Sequence, residues 1–459
     1  MIPDRAPVLT AAAIGVPWLA AAVVAARRRQ TRELGFGASL AAMAASALLF
    51  ATAPAHDTLA AALMLLFSCL TAGATLVLPR RDCRPAMMAG ILFLLGSTLL
   101  AYSSENLAVL LAGWFLSTIP FLTERWLGAP VWRPRLGLLA SSLALAMAIA
   151  IIGAEGRPLN IAALQGRNPG GMAVFALLVA AVLFRKGIVP AQAWVAEAAE
   201  TGPAIPTALL LNGHFGAMLV ARLIIPLFPN IARDLFPVLS YLALATALYT
   251  AIRALAESSP RRLLALVALS QSACILAGLE SRTPEGVAGA MMHWVVVTTS
   301  TMGLFGVLRL LEVRFGENLT ASRHLGLAEH APRLAVFFLV FGLALAGLPG
   351  TLSFCSQDLL IHGTLESHPL TGLLLPAATA MNAVSLFRLF ARLFLGKRRT
   401  GFTAQADALP RERWILTAGV LFVVIGGLGP SATVVLRSAE KTLGPAILSA
   451  QGPRRTATR

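Results

Sequence analysis

A cation pair, Arg185-Lys186, closes an apolar run over 172–184 and is followed at once by Gly187-Ile188-Val189-Pro190. A short amphipathic stretch over 191–200, with Glu197 and Glu200, leads through Thr201-Gly202-Pro203 into another apolar segment that carries His214. A charge in hydrocarbon costs about 2.5–3.5 kcal/mol on insertion scales, so such residues face a protein interior or a wet cavity. Gly and Pro that break a helix at membrane depth are tolerated under the same condition. Burial or a neighbour can push the protonation of Lys and His across neutrality, which an ion or proton path requires. The candidates for such a path are Lys186, Arg185 and His214, with Glu197 on the linker, and further along His293 and Asp358. Each also has a plainer reading. Lys186 can snorkel to an interface from a helix end. His214 and His293 can be satisfied buried histidines. Glu197 and Glu200 fit a solvated linker face, and Asp358 fits a helix cap. Arg222, Arg253 and Arg388 read as anchors or structural pairs, and His362 and His368 as loop residues.

The elements that must position these residues are membrane helices. The chain has 459 residues, 57% apolar and only 13% charged, with mean hydropathy +0.76. Apolar runs recur about fourteen times between 8–26 and 413–436, at lengths near the roughly 20 residues a span needs. Leu and Ala dominate and alternating β-branched runs are few, which excludes a β-barrel. The first run is too long for a signal peptide and has no convincing cleavage site, so it reads as a retained helix. The fold class is an all-α polytopic membrane protein.

A second break, Gly347-Leu348-Pro349-Gly350, echoes the first and lies five helices later. An odd displacement reverses the direction of entry, as in inverted repeats with broken helices at matching positions. The chain therefore divides into three N-terminal helices (1–85), a first five-helix repeat (86–228), a second (229–400), and a last helix with a basic tail (401–459), giving two broken helices.

Charge sets the orientation. Arginines and lysines follow helices 1, 3, 5, 9, 11 and 13: Arg27, Arg28, Arg29 and Arg32; Arg80, Arg81 and Arg84; Arg125, Arg133 and Arg135; Arg261 and Arg262; Arg314 and Arg323; Lys397, Arg398 and Arg399. The short loops at 55–57 and 103–106 carry almost none. The positive-inside rule then puts both termini outside the cytoplasm of an inner (plasma) membrane, with Arg454, Arg455 and Arg459 a mild exception. The net charge of +16 fits arginine-rich loops beside anionic lipid rather than nucleic acid. Cys69, Cys83, Cys274 and Cys355 are scattered without a CxxC pair, which supports neither an iron–sulfur cluster nor a zinc site. There is no GxGxxG or Walker-type loop and no HExxH, and no cofactor or metal is expected.

Arg185, Pro190 and Trp194, followed by Glu197, Glu200 and Gly202-Pro203, have the spacing of a K-x4-P-x3-W pattern with an acidic, Gly/Pro-rich linker. His214 stands eight residues before Arg222. Ser259-Pro260-Arg261-Arg262-Leu263-Leu264-Ala265 with Ser270-Gln271, then Ala290-Met291-Met292-His293, Ala344-Leu345-Ala346-Gly347-Leu348-Pro349-Gly350, Phe354-Cys355-Ser356-Gln357-Asp358 and Ser385-Leu386-Phe387-Arg388-Leu389 continue the pattern in order. Over roughly 90–435 the chain resembles the antiporter-like membrane subunits of respiratory complex I, membrane hydrogenases and Mrp-type cation antiporters. The resemblance implies proton or cation translocation within a multiprotein complex, powered by quinone-linked redox chemistry in neighbouring subunits and with no redox centre here.

The chain departs from that pattern at its charges. The family's helix-5 Glu falls on Phe115, its helix-7 Lys on Arg185 with Lys186 next, its helix-11 Lys on Thr301 and its helix-12 Lys on Gln357. Arg does not deprotonate in proteins, so a step at Arg185 is disabled unless Lys186 has taken it over. Neighbouring helical positions differ by about 100° in facing, so only one of the two is expected to line a path. Three functions follow. The first is a translocating subunit of a quinone-linked complex, with Lys186 and His214 in one half and His293 and Asp358 in the other. The second is a membrane subunit of an inorganic-carbon uptake complex, with a soluble zinc-bearing, carbonic-anhydrase-like partner. The third is a non-pumping scaffold. In each the partners are other membrane subunits, with a soluble zinc-bearing or redox partner in the first two, and the bilayer.

Overall fold

The computed structural model describes residues 6–27, 31–53, 58–123, 131–316, 319–397 and 407–429. The charges Arg28, Arg29, Arg125, Arg398, Arg399, Arg454, Arg455 and Arg459 and the loop Ala55-His56-Asp57 lie outside them.

The regular structure among the described residues is helical, with one isolated β-bridge between Asn106 and Asn160. Four helices open the chain: α1 (Ala6–Arg27), α2 (Thr31–Thr52), α3 (Thr58–Val77) and α4 (Pro85–Ser103). Then come the short α5 (Leu107–Leu116) and α6 (Ile119–Leu122), α7 (Trp132–Ala154) and the single turn α8 (Ile161–Leu164). The first broken helix is α9 (Gly171–Lys186) with α10 (Ala193–Thr201). The next segment is α11 (Ala204–Asn212), α12 (Phe215–Leu219), a π-helical turn (Val220–Ile224) and α13 (Ile225–Leu227). After these follow α14 (Pro229–Ala256), α15 (Pro260–Ser281), α16 (Pro284–Phe315), α17 (Pro332–Leu345), α18 (Leu352–Ser367), α19 (Pro369–Phe394) and α20 (Pro410–Leu428). Pro at the first helical turn starts α4, α14, α15, α16, α17, α19 and α20, where its missing N–H costs nothing. Ser259 and Thr283 cap α15 and α16 by accepting from the backbone N–H groups of Arg262 and Gly286.

Ten of the described helical stretches are long and apolar enough to cross a membrane. The four remaining apolar segments fold differently. The segments at 106–123, 172–187 and 332–349 are short or interrupted, and α20 carries Arg411, Glu412 and Arg413 in its first turn. Both expected interruptions are present, at Gly187 (φ +71°) after α9 and at Gly347 (φ +84°) after α17. A third, which the sequence did not announce, splits the following segment at Gly213-His214. His362, read as a loop residue, is helical within α18, because α18 continues four turns past the Gly347–Gly350 break.

α15 and α16 form the buried centre. α7, α14 and α19 lie outside, and rows such as Leu136, Leu139 and Leu143 or Leu373, Val384 and Phe387 are exposed, as lipid-facing surface should be. α16 and α18 meet backbone to backbone. A Cβ added at Gly363 would lie 2.1 Å from the Gly286 nitrogen, and one at Gly289 would lie 2.4 Å from the Leu360 nitrogen. Small residues give membrane helices this closeness. Gly289→Leu is expected to force the two helices apart at a cost of about 1–3 kcal/mol or more, the range for overpacking. The check is a lowered denaturation midpoint of the purified complex in detergent; an unchanged midpoint would contradict the close contact.

One end of the bundle is tied by buried ion pairs. Arg309 holds both carboxylate oxygens of Asp82, at 2.6 and 2.8 Å, and reaches Glu312 at 2.9 Å. Glu312 in turn takes two bonds of 2.6 Å from Arg261. Arg261 also donates to the carbonyl of Gly202 at 3.0 Å, so the linker after α10 joins the network. Arg314 binds Glu412 at 2.6 Å and brings in α20.

Candidate functional site

The site forms where α9 stops. Gly187 takes the left-handed conformation that ends the helix, and a Cβ there would lie 2.4 Å from Val195. Trp194 turns back and donates its indole N–H to the Phe184 carbonyl at 2.8 Å, fixing α10 against the end of α9. The backbone N–H of Val189, freed by the break, finds the Thr246 hydroxyl at 3.0 Å. The third break, at Gly213-His214, faces this one. His214 has φ +44°, a conformation that costs a non-glycine residue about 1–2 kcal/mol. The Gly213 carbonyl beside it accepts from the Tyr102 hydroxyl.

Lys186 Nζ lies 3.0 Å from His214 Nδ1, and both side chains are buried. Ser272 Oγ is 3.4 Å from the same ring nitrogen, and Trp294 packs edge-on against the imidazole at 5.6 Å. His214 Nε2 is buried without a hydrogen-bond partner. A cavity of about 20 Å³ adjoins these groups, bordered by Arg185, Lys186, Asn212, His214 and Ser272. That is room for about one water. An ammonium has three protons to place and an imidazole can offer or accept one at Nδ1. The pair therefore supports two proton arrangements over one short contact. In one, charged Lys186 donates to neutral His214; in the other, charged His214 donates to neutral Lys186.

Arg185 is buried too, contrary to the expectation that only one of the two cations would face inward. The reason is the helix end: with α9 terminated, chain packs on both sides of the last turn. Arg185 turns to α5, donating to Ser117 Oγ at 2.7 Å, and its guanidinium lies 5.5 Å from the Trp114 ring and 4.7 Å from Phe215. It is held as a fixed cation on aromatic faces. Phe115 points the other way and is 42% exposed. A carboxylate at that position would stand on the surface of this chain, not beside Arg185 or Lys186.

In the second half His293 is fully buried between Gln271 Oε1 (2.9 Å from Nε2) and Ser356 Oγ (3.2 Å from Nδ1). Thr301 donates to Asn212 Oδ1 at 2.7 Å and so links α16 to the first site, while Gln357 donates to Ser353 at 3.2 Å. Asp358 is not brought to this interior. Its side chain is 60% exposed on α18, 3.5 Å from exposed His362. Glu197 is also outside the buried chain, 3.4 Å from Arg133 on the wall of a crevice of about 270 Å³ with Arg253, Arg262 and Tyr249. Arg222 and Arg388 bind backbone carbonyls: those of Tyr102 and Ser104 for Arg222, and those of Ala254 and Glu257 for Arg388.

The structure adds a residue that the sequence did not mark. Glu280, in the last turn of α15, is buried, and its Oε2 has no hydrogen-bond partner. In the sequence it follows the apolar segment and runs into Ser281-Arg282, so it looks like the start of a loop. A carboxylate four residues past Leu276 on a helix this buried was the available signal.

The family described as NADH:quinone oxidoreductase/Mrp antiporter, TM, matches residues 104–382, more than half of the chain. The chain belongs to this antiporter-like family. NADH-quinone oxidoreductase subunit N 3 of Streptomyces griseus is 28% identical over 270 residues, 57% of this chain and 48% of that protein. Subunit M of Mycobacterium tuberculosis is 28% identical over 276 residues, 58% and 49% of the two chains. The chain spans about half the length of the curated relatives it matches. Its fold is that of a chain of respiratory complex I from Thermus thermophilus, with TM-score 0.84 at 22% identity over 97% of this chain and 100% of that one. A chain of the Mrp complex from Dietzia gives TM-score 0.82 at 20% identity with the same coverage. The antiporter-like fold therefore extends over almost the whole chain, and this member is a multi-pass membrane protein with buried Lys and His between its helix breaks.

Proposed function

We propose that this family member translocates protons, or another cation, as one membrane subunit of a larger complex, with Lys186 and His214 exchanging a proton at the paired breaks. The observation that carries the reading is the 3.0 Å contact between two ionisable groups buried beside a water-sized cavity. A fold at this cost in strain and buried charge marks a functional site in a membrane protein. His293, held by Gln271 and Ser356, serves the second half, and water carries protons past Thr301 and Gln357. Arg185 acts as a fixed positive charge beside the path. Asp358 and Glu197 act at its margins. The two five-helix repeats over 86–228 and 229–400 are part of the same proposal. So are the neighbouring membrane subunits and the soluble zinc-bearing or redox partner. The solved chains with this fold come from multiprotein membrane complexes, which supports membrane partners. The rival reading is a scaffold that moves no ion. It draws on Thr301 and Gln357, where the resemblance implies lysines.

The test is proton uptake into proteoliposomes of the complex purified with its natural partners, under an imposed membrane potential. Flux above that of empty liposomes, lost in His214→Ala with assembly intact, is the expected result. No flux in the wild type under a potential shown to be present would overturn the proposal and leave the scaffold.

The proposed orientation, termini outside the cytoplasm in the inner membrane, is checked at Cys83, in the loop between α3 and α4. A membrane-impermeant maleimide should label it in inside-out vesicles and not in right-side-out ones. Burial pushes the Cys83 thiol above its ordinary pKa. Less thiolate is then present at neutral pH than on a free cysteine, and labelling should go on accelerating into the alkaline range. Labelling in right-side-out vesicles instead would reverse the orientation.

A further inference from the structure

Glu280 is a buried carboxylate that the path above does not use. It is 4% exposed, and its unpartnered Oε2 lies in an otherwise hydrophobic setting. It borders a small cavity of about 10 Å³ with Val182, Leu183, Ile188, Val220 and Leu276. An unpaired carboxylate in such surroundings is costly, and at membrane depth that cost marks function. The charge that acts on it is Lys186, and the attraction is mutual.

Lys186 borders one void, and the turn of α9 before it borders a second. Val182 and Leu183 precede it by four and three residues on α9, the turn over which a helical side chain leans. The stem does lie there: a Cβ on Gly216 would meet Lys186 Cγ at 2.4 Å and Val182 Cγ1 at 3.1 Å. The cavity of about 20 Å³ with His214 and Ser272 is bordered by Lys186 itself, and the smaller cavity with Glu280 by Val182 and Leu183 of the same turn. Beyond Glu280, α15 ends at the half-buried Arg282, on which Arg233 and Asp234 act and beside which lies His368. This end is opposite the one where Arg261 joins the ion-pair network.

We propose that Glu280 takes the proton from Lys186 and passes it toward the Arg282 end of α15, giving the first half of the protein an exit of its own. This rests on the proposed function and extends it. In the step, a Lys186 N–H bond breaks and its electron pair stays on Nζ. A water relays the proton, and an O–H bond forms on the Glu280 carboxylate, so both groups become neutral. Glu280 then releases the proton to water at the Arg282 end and is a carboxylate again, while Lys186 is reprotonated through His214.

The test compares wild type, Glu280→Gln, Glu280→Asp and Lys186→Ala in proteoliposomes of the complete complex. Glu280→Gln keeps the shape and removes the titration, and flux should fall by about tenfold or more. Glu280→Asp should retain most of it. Infrared difference spectra between proton-loaded and unloaded wild type should show a carboxylic-acid band that moves in Glu280→Asp and is absent in Glu280→Gln. A purely structural Glu280 would give no such band. Unchanged flux in Glu280→Gln alongside a dead Lys186→Ala would overturn the exit and leave the proposed function standing. A wild type without flux would overturn both. Should Glu280→Gln not assemble, the absence of a band in the wild type that shifts in Glu280→Asp would still overturn the proposal.

Discussion

Lys186→Ala is expected to abolish proton flux, by about 100-fold or more, with the complex assembled and stable. The magnitude is that of removing a positioned proton-transfer group. Assembly should survive because Lys186 makes its hydrogen bond to His214, not to a neighbouring backbone, and truncation leaves Arg185 on Trp114 and Phe215. Lys186→Arg is the sharper control. It keeps the positive charge at the end of α9 and removes the ability to deprotonate. Flux that fails to recover in Lys186→Arg says a titrating group is needed there; recovery says that only charge is, and the exchange with His214 is then wrong. The measurement is the initial rate of proton uptake, with subunit content checked on the same vesicles.

The second large effect is expected at Glu312. This carboxylate takes two bonds from Arg261 and one from Arg309, and is 3% exposed. Glu312→Ala leaves one buried guanidinium, Arg309, and one half-buried, Arg261, short of a partner. Breaking a buried pair in this way costs about 3–5 kcal/mol, a large share of what any domain has. The expected result is a large fall in the denaturation midpoint or failure to assemble. Replacing charge on both sides at the other pair, Asp82→Leu with Arg309→Leu, should cost less than Arg309→Leu alone, because no charge is stranded. Equal losses in single and double variants would show that Asp82 and Arg309 are not coupled.

Local chemistry was legible in the sequence, and long-range placement was not. The break after Lys186 and the one after Leu345 are written in Gly and Pro, and Trp194 reads correctly as part of the first because its partner, Phe184, is ten residues away. The third break at His214 has no such signature beyond Gly213, since what holds it is Tyr102, more than a hundred residues earlier. Asp358 shows the limit most plainly. Its motif is in register, but each residue on a helix adds about 100° of rotation, and the two steps from Ser356 to Asp358, about 200°, turn it outward while Ser356 faces His293. Phe115 is the same lesson, since Trp114 beside it is buried against Arg185. Lys186 beside Arg185 defeated the rotation argument for a different reason, the end of the helix. Glu280 left only the signal of a carboxylate at the end of an apolar segment, because its meaning comes from Lys186, which lies on another helix.

Arg261 has one more consequence. It grips Glu312 with two bonds while donating to the Gly202 carbonyl, so the linker after α10 is fastened to α15 and α16. Swinging that linker would break the charge-assisted bond from Arg261 to the Gly202 carbonyl, at a half-buried place. The slow domain rearrangements of alternating-access carriers, microseconds to milliseconds, are thus disfavoured at this end of the molecule. What stays free to move is small: rotamers of Lys186 and His214, a water, and the proton itself. The tempo of any transport through this scaffold would then be set by how often a proton arrives, not by how quickly helices shift.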